Sequence, residues 1–175
     1  ATLYTGTGAS LTVANTVGSA SFQPDLVWIK SRSAATDNKL TDSVRGVTKG
    51  LISNTTGAET TDTQGLTAFG STGFTVGTNT DYNNLAATYV AWQWKGGSSV
   101  SANTTSGCSV VTYTGNGSSS ATVGHGLGVT PSMVIHSARS TTTSWFTNHV
   151  GIPNSWIQLY TTGAAATGGG ANGAI

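Results

Sequence analysis

Charged residues are scarce in this sequence. Of its 175 residues only 7% are charged, whereas an average globular protein has about 25%. Seven Lys and Arg residues against six Asp and Glu residues give a net charge of +1. That balance supplies neither the basic patch that a nucleic acid requires nor the repulsion that keeps a chain disordered. A single Glu also argues against a coiled coil or a helical bundle.

Cysteine and long apolar runs are lacking as well. Cys108 is the only cysteine, so the chain forms no internal disulfide and is stabilised by its own packing or by neighbouring subunits. There is no run of about 18 apolar residues, so the sequence predicts no insertion into a membrane.

The few charges are unevenly placed. Residues 1–24 carry none, and after Lys95 the only formal charge is Arg139. A long stretch with one charge is poorly equipped to stay soluble alone. Two interpretations stay open: a surface solvated by hydroxyl and amide groups, or burial against other subunits.

The sequence contains an internal repeat, because three landmarks recur in the same order. Such self-similarity in a fixed order is typical of a repeated structural unit. Tyr4 to Gly8 recurs as Tyr113 to Gly117, Pro24 to Ser33 as Pro131 to Ser140, and Thr55 to Ala58 as Thr161 to Ala164.

The repeat predicts two copies of one domain. We place the first, complete copy at residues 1–95, a Gly/Ser-rich linker at 96–106, and a second copy at 107–175. Because the second copy lacks counterparts of the strands expected after Gly70, we expect it to be incomplete. It would then be completed either by a strand from another chain, such as the uncharged segment 1–22 of a neighbour, or by residues encoded downstream.

Short alternating segments with glycines between them indicate an all-β fold, a β-sandwich of the jelly-roll or lectin-like kind. Gly6 and Gly8 are interpreted as the turn between two adjacent strands. The alternation over residues 88–95 predicts that Trp92 and Trp94 point to one face. We expect a core in the first copy that contains Leu26 or Val27, Trp28, Phe74, Val90 and Trp92.

Several of these segments also resemble a family of uncharacterised repeat domains in structural proteins of tailed bacteriophages, often marine or environmental. The resemblance lies in residues 22–33, 42–46, 73–77 and 89–95, and in 111–117, 124–128 and 145–149 of the second copy. It implies a virion-associated or fibre-like sandwich protein. It implies no catalytic residues.

The residues give little support for an enzyme. A carboxylate pair such as Asp42 and Glu59 is the open candidate for a glycosidase, but Asp42 is expected to pair with Arg45 instead. His125, His136 and His149 lack metal-ligand spacing and have no counterparts in the first copy. We therefore expect no catalytic, cofactor or metal site.

Three aromatic residues of the second copy, Trp145, Trp156 and Tyr160, are candidates for an interface or a glycan contact. The sequence predicts a non-enzymatic structural protein of a phage particle, in a fibre, tail or capsid decoration, found in the virion or outside the cell. Its expected partners are copies of itself or other structural subunits, joined through added β-strands. A subunit of an extracellular bacterial filament and an adhesin module for host-surface glycans stay open as alternatives.

Overall fold

The computed structural model describes residues 1–15, 21–96 and 102–167, which form fifteen β-strands and one short helix. The predicted all-β class is confirmed. No helix among these residues has the length and apolar character that a membrane crossing requires. The strands are β1 (Thr2–Thr5), β2 (Leu11–Ala14), β3 (Leu26–Ser31), β4 (Lys39–Asp42), β5 (Lys49–Ile52), β6 (Thr60–Thr61), β7 (Leu66–Gly70), β8 (Gly73–Val76), β9 (Thr88–Trp94), β10 (Ala102–Asn103), β11 (Cys108–Ser109), β12 (Met133–His136), β13 (Phe146–His149), β14 (Ser155–Gln158) and β15 (Ala166–Thr167), and the helix is α1 (Thr80–Asn83).

The first nine strands form a sandwich of two antiparallel sheets. The larger sheet has the order β1-β9-β3-β4-β5-β6, and the smaller has the order β2-β8-β7. Alternate residues of each sheet point between them, as the pleat of a strand requires. The buried side chains of this core are Val13, Val27, Ile29, Leu66, Phe74, Val76, Tyr82, Ala87, Tyr89 and Ala91.

The glycines between β1 and β2 do not form a hairpin turn, so that prediction is wrong. β1 lies at the edge of the larger sheet, whereas β2 pairs with β8 in the smaller one. The intervening segment crosses between the sheets and runs against the residues after α1. A Cβ at Gly6 would lie 2.1 Å from the carbonyl oxygen of Asn84, so only glycine fits this approach.

Strands β12 to β15 form a second antiparallel meander, and it repeats the pairing of β3 to β6. In β3 and β4, Leu26 faces Asp42; 107 positions later, in β12 and β13, Met133 faces His149. The other two strand pairs also match, at shifts of 107 or 106 positions. Leu40 faces Leu51 in the first copy, and Thr147 faces Ile157 in the second. Likewise, Gly50 faces Thr60, and Trp156 faces Ala166. We call β3–β6 the first meander and β12–β15 the second meander.

The two meanders differ at one edge. β9 pairs along the edge of β3, but no strand among the described residues pairs along the same edge of β12. The end of the predicted linker takes part in regular structure, because β10 and β11 form a small hairpin around Gly107. Its residues 97–101 lie outside the described part of the chain.

Candidate functional site

Three tryptophans line a groove on the outer face of the larger sheet. Trp28 of β3 lies directly opposite Trp92 of β9, and Trp94 faces Leu26 in the same register. The rings of Trp28 and Trp92 meet edge to face, with centroids 6.1 Å apart. Within the part of the chain that the structure describes, the groove is lined by Trp28, Trp92 and Trp94, and its volume is about 230 Å³. We call it the tryptophan groove.

The groove overturns part of the predicted core. Trp92 is 40% exposed and Trp94 is 37% exposed, while Tyr89 and Ala91 of the same strand are fully buried. Val27 and Phe74 are buried as predicted. Alternation in a strand distinguishes two faces but does not show which of them is covered. The prediction placed the face of β9 with Trp92 in the core, whereas the buried face is the one with Tyr89 and Ala91.

The second meander covers the neighbouring part of the same outer face. Trp145 is 5% exposed and packs on Leu40 and Leu51. Its indole N–H donates a hydrogen bond of 2.9 Å to the carbonyl oxygen of Ile52. Leu159 and Tyr160 complete this cluster, which also includes Trp28, so the tryptophan groove is continuous with the contact between the meanders.

Four charged side chains lie beside this contact. Arg45 pairs with Asp42 through Nε, and its Nη1 lies 3.0 Å from Oε2 of Glu59. Arg139 of the second meander's loop binds both carboxylate oxygens of Glu59 at 3.0 Å. This arrangement confirms the expected pairing of Asp42 with Arg45 and ties the two parts of the chain together.

The same network argues against acid catalysis by the Asp42 and Glu59 pair. The hydrogen bond from Arg139 lowers the pKa of Glu59, with burial opposing this and Arg45 reinforcing it. A glycosidase acid needs a raised pKa so that it holds a proton near neutral pH. The structure brings the two carboxylates together on the guanidinium of Arg45.

The three aromatic candidates of the second copy lie in different surroundings. Trp145 is buried against the first meander, and Tyr160 is half-buried at the margin of that contact, with its hydroxyl 2.8 Å from Ser144 Oγ. Trp156 lies on the other face of the second meander and packs edge-on against Phe146 at 5.0 Å. They do not form a common platform. Trp145 serves as an anchor within the chain.

The histidines are dispersed. His136 lies within β12 and stacks on Phe146 at 5.6 Å, where burial lowers its pKa. His125 and His149 accept hydrogen bonds from nearby backbone N–H groups through Nδ1. Across the residues that the structure describes, no group of His, Cys, Asp or Glu side chains has the geometry to hold a metal ion.

The tryptophan groove was missed because its residues were assigned to the core. One residue indicates that the face with these tryptophans is exposed. Lys30 of β3 lies opposite Val90 of β9, and it therefore shares a face with Trp92 and Trp94. A lysine on that face indicates contact with solvent, since lysine is almost never fully buried without a partner.

The comparison with protein families gives one result. No curated protein and no solved structure matches the chain. One family description, "Domain of unknown function (DUF7483)", matches residues 1–174 and therefore spans both meanders. The chain belongs to this DUF7483 family.

Proposed function

We propose that the chain is a non-enzymatic structural component of a phage particle that assembles through the edge of β12. The resemblance of its segments to structural proteins of tailed phages supports a place in a phage particle. The hydroxyl-rich, nearly neutral composition supports an extracellular setting. The observation that carries this proposal is the edge of β12, along which none of the described strands pairs.

The exposed backbone groups of that edge can be identified. Val150 N–H donates to the carbonyl oxygen of Ser132 at 3.0 Å. Hydrogen bonding alternates along an antiparallel pair, so the N–H and C=O groups of Met133 and Ile135 point away from β13. In the first meander the equivalent residues, Leu26 and Trp28, face β9.

The occupant that fits this edge is β12 of a second copy. Two antiparallel β12 strands give a self-complementary contact around a two-fold axis, and they satisfy the open backbone groups of both chains. The side chains of the edge are uncharged and partly exposed, with Met133 at 55% and Ile135 at 36%, so no like charges repel the second strand.

Segment 1–22 of a neighbour is a poor donor for this edge. Its residues 2–5 already pair with β9, and its residues 11–14 already pair with β8. Donating them to another chain would remove two strands from the first sandwich, so we favour pairing between β12 edges.

The test is the oligomeric state of the purified chain by analytical ultracentrifugation. We expect a dimer, which Ile135→Pro converts to a monomer because proline removes an outward N–H group. Ile135→Val keeps that group and should keep the dimer. A monomeric parent chain, or an Ile135→Pro dimer that retains the parent's β-sheet circular dichroism, would refute assembly through this edge.

Location in a particle is tested separately. Antibodies raised against the purified chain should label virus particles in electron micrographs. Labelling of cell-surface filaments instead would favour the filament alternative and reject the phage assignment.

A further inference from the structure

We propose that the tryptophan groove binds a neutral sugar ring, with Trp92 and Trp94 as its stacking surfaces. This site is separate from the β12 edge and does not depend on assembly through it. The groove lies in the first sandwich, whereas the edge belongs to the second meander.

The indoles of the groove are held in place by the sheet. Trp28 and Trp92 occupy paired positions on adjacent central strands, and their edge-to-face contact limits rotation of both rings. A rigid aromatic surface loses little conformational entropy when a ligand binds. An exposed, ordered pair of tryptophans is also unfavourable for a free protein, because it leaves large apolar surfaces in water.

The chemistry of the groove matches the face of a sugar ring. The C–H groups on one face of a pyranose carry slight positive charge, and they meet the negative π-face of an indole. The hydroxyl groups around the ring stay in water or bond to the polar residues outside the groove. Since the described residues that line the groove are all tryptophans, the groove favours a ring that presents a face of C–H groups.

The surrounding charges disfavour a cationic ligand, the other common partner of an aromatic cage. Lys30 lies on the same face as Trp28, and its ammonium group donates to the carbonyl oxygen of Thr36 at 2.5 Å. Two carboxylates lie near the groove by register. Asp42, opposite Leu26, is paired with Arg45. Asp25, whose N–H donates to the Trp94 carbonyl oxygen, accepts a hydrogen bond from the Ser43 hydroxyl. Neither is among the described residues that line the groove.

The groove is too small for a stable protein partner. A side chain of this size offers about 250 Å² of surface, so Trp92 and Trp94 at their observed exposure present about 200 Å² together. A specific protein interface needs about 800 Å² from each partner.

The experiment is a titration of tryptophan fluorescence with cellohexaose, maltohexaose and chitohexaose. It is done on the parent chain and on Ile135→Pro, so that assembly and sugar binding are judged independently. We expect at least one of these sugars to give a saturating change in both proteins. Trp92→Ala and Trp94→Ala should each weaken binding about tenfold or more, and Trp92→Phe should retain part of it.

Tyr113→Ala is the matched control, because Tyr113 is an aromatic residue exposed elsewhere on the surface. It should bind as the parent does, and circular dichroism should show that every variant is folded. The proposal is wrong if none of the three sugars changes the fluorescence at millimolar concentration. It is equally wrong if binding survives Trp92→Ala together with Trp94→Ala.

Discussion

Tyr89 and Trp92 lie on the same strand and meet opposite surroundings. The Tyr89 hydroxyl donates to the Thr80 carbonyl oxygen at 2.6 Å and accepts from the Asn84 N–H group at 2.8 Å. With its one polar atom satisfied, the ring can be fully buried, and burial raises the pKa of its hydroxyl. Trp92, three residues later, lies on the outer face and keeps 40% of its surface in water.

This difference predicts a ranking of two substitutions. Phe74→Ala should cost about 3 to 5 kcal/mol of unfolding free energy, because the ring is fully buried between the sheets. Trp92→Ala should cost less than about 2 kcal/mol, because much of its indole is solvated before the change. Urea denaturation measures both values. Equal costs, or a larger cost for Trp92→Ala, would show that Trp92 belongs to the core.

At the scale of elements, α1 joins the two sheets through one buried side chain. Asn83 has no exposed surface, and its amide N–H groups donate to the carbonyl oxygens of Ala9 at 2.5 Å and Gly77 at 2.7 Å. Its side-chain oxygen accepts from Thr7 N–H at 2.8 Å. The helix is a single turn, so these bonds and the buried ring of Tyr82 hold it in place.

We therefore expect Asn83→Ala to destabilise the chain by about 1 to 3 kcal/mol, since it leaves the buried Gly77 carbonyl oxygen without its partner and removes the bonds to Thr7 and Ala9. Asn84→Ala is the control, because Asn84 is the exposed neighbour and should cost less than about 0.5 kcal/mol. Thermal unfolding followed by circular dichroism distinguishes them. Similar melting temperatures for the two variants would show that Asn83 does not hold the segment between β1 and β2 in place.

At the scale of the whole molecule, the contact between the two meanders combines one apolar anchor with an ionic bridge. Trp145 is buried on Leu40 and Leu51, while Arg139 reaches Glu59 with 44% of its side chain still exposed. Backbone bonds also link the two parts, since Thr143 N–H donates to the carbonyl oxygen of Thr56 at 2.9 Å. Apolar burial should dominate, because water screens exposed ion pairs.

Trp145→Ala should accordingly lower the unfolding free energy by about 3 to 5 kcal/mol. It should also make the second meander sensitive to limited proteolysis, since the anchor to the first sandwich is lost. Arg139→Ala, which removes only the bridge, should cost no more than about 1 kcal/mol. If Arg139→Ala proves the more harmful change, the ionic network and not Trp145 holds the two parts together.

The sequence by itself determined the all-β class, the strand within residues 88–95 and the correspondence between residues 24–33 and 131–140, because alternation and repeated segments are local properties. The pairing of Asp42 with Arg45 was predictable for the same reason. Tertiary structure alone decided which face of β9 is covered, how Gly6 and Gly8 cross between sheets, and that Trp145 is buried against Leu40 and Leu51. Those outcomes depend on residues far apart in the chain. A strand's pattern shows that its two faces differ, but only the layer packed against it decides which face is the core.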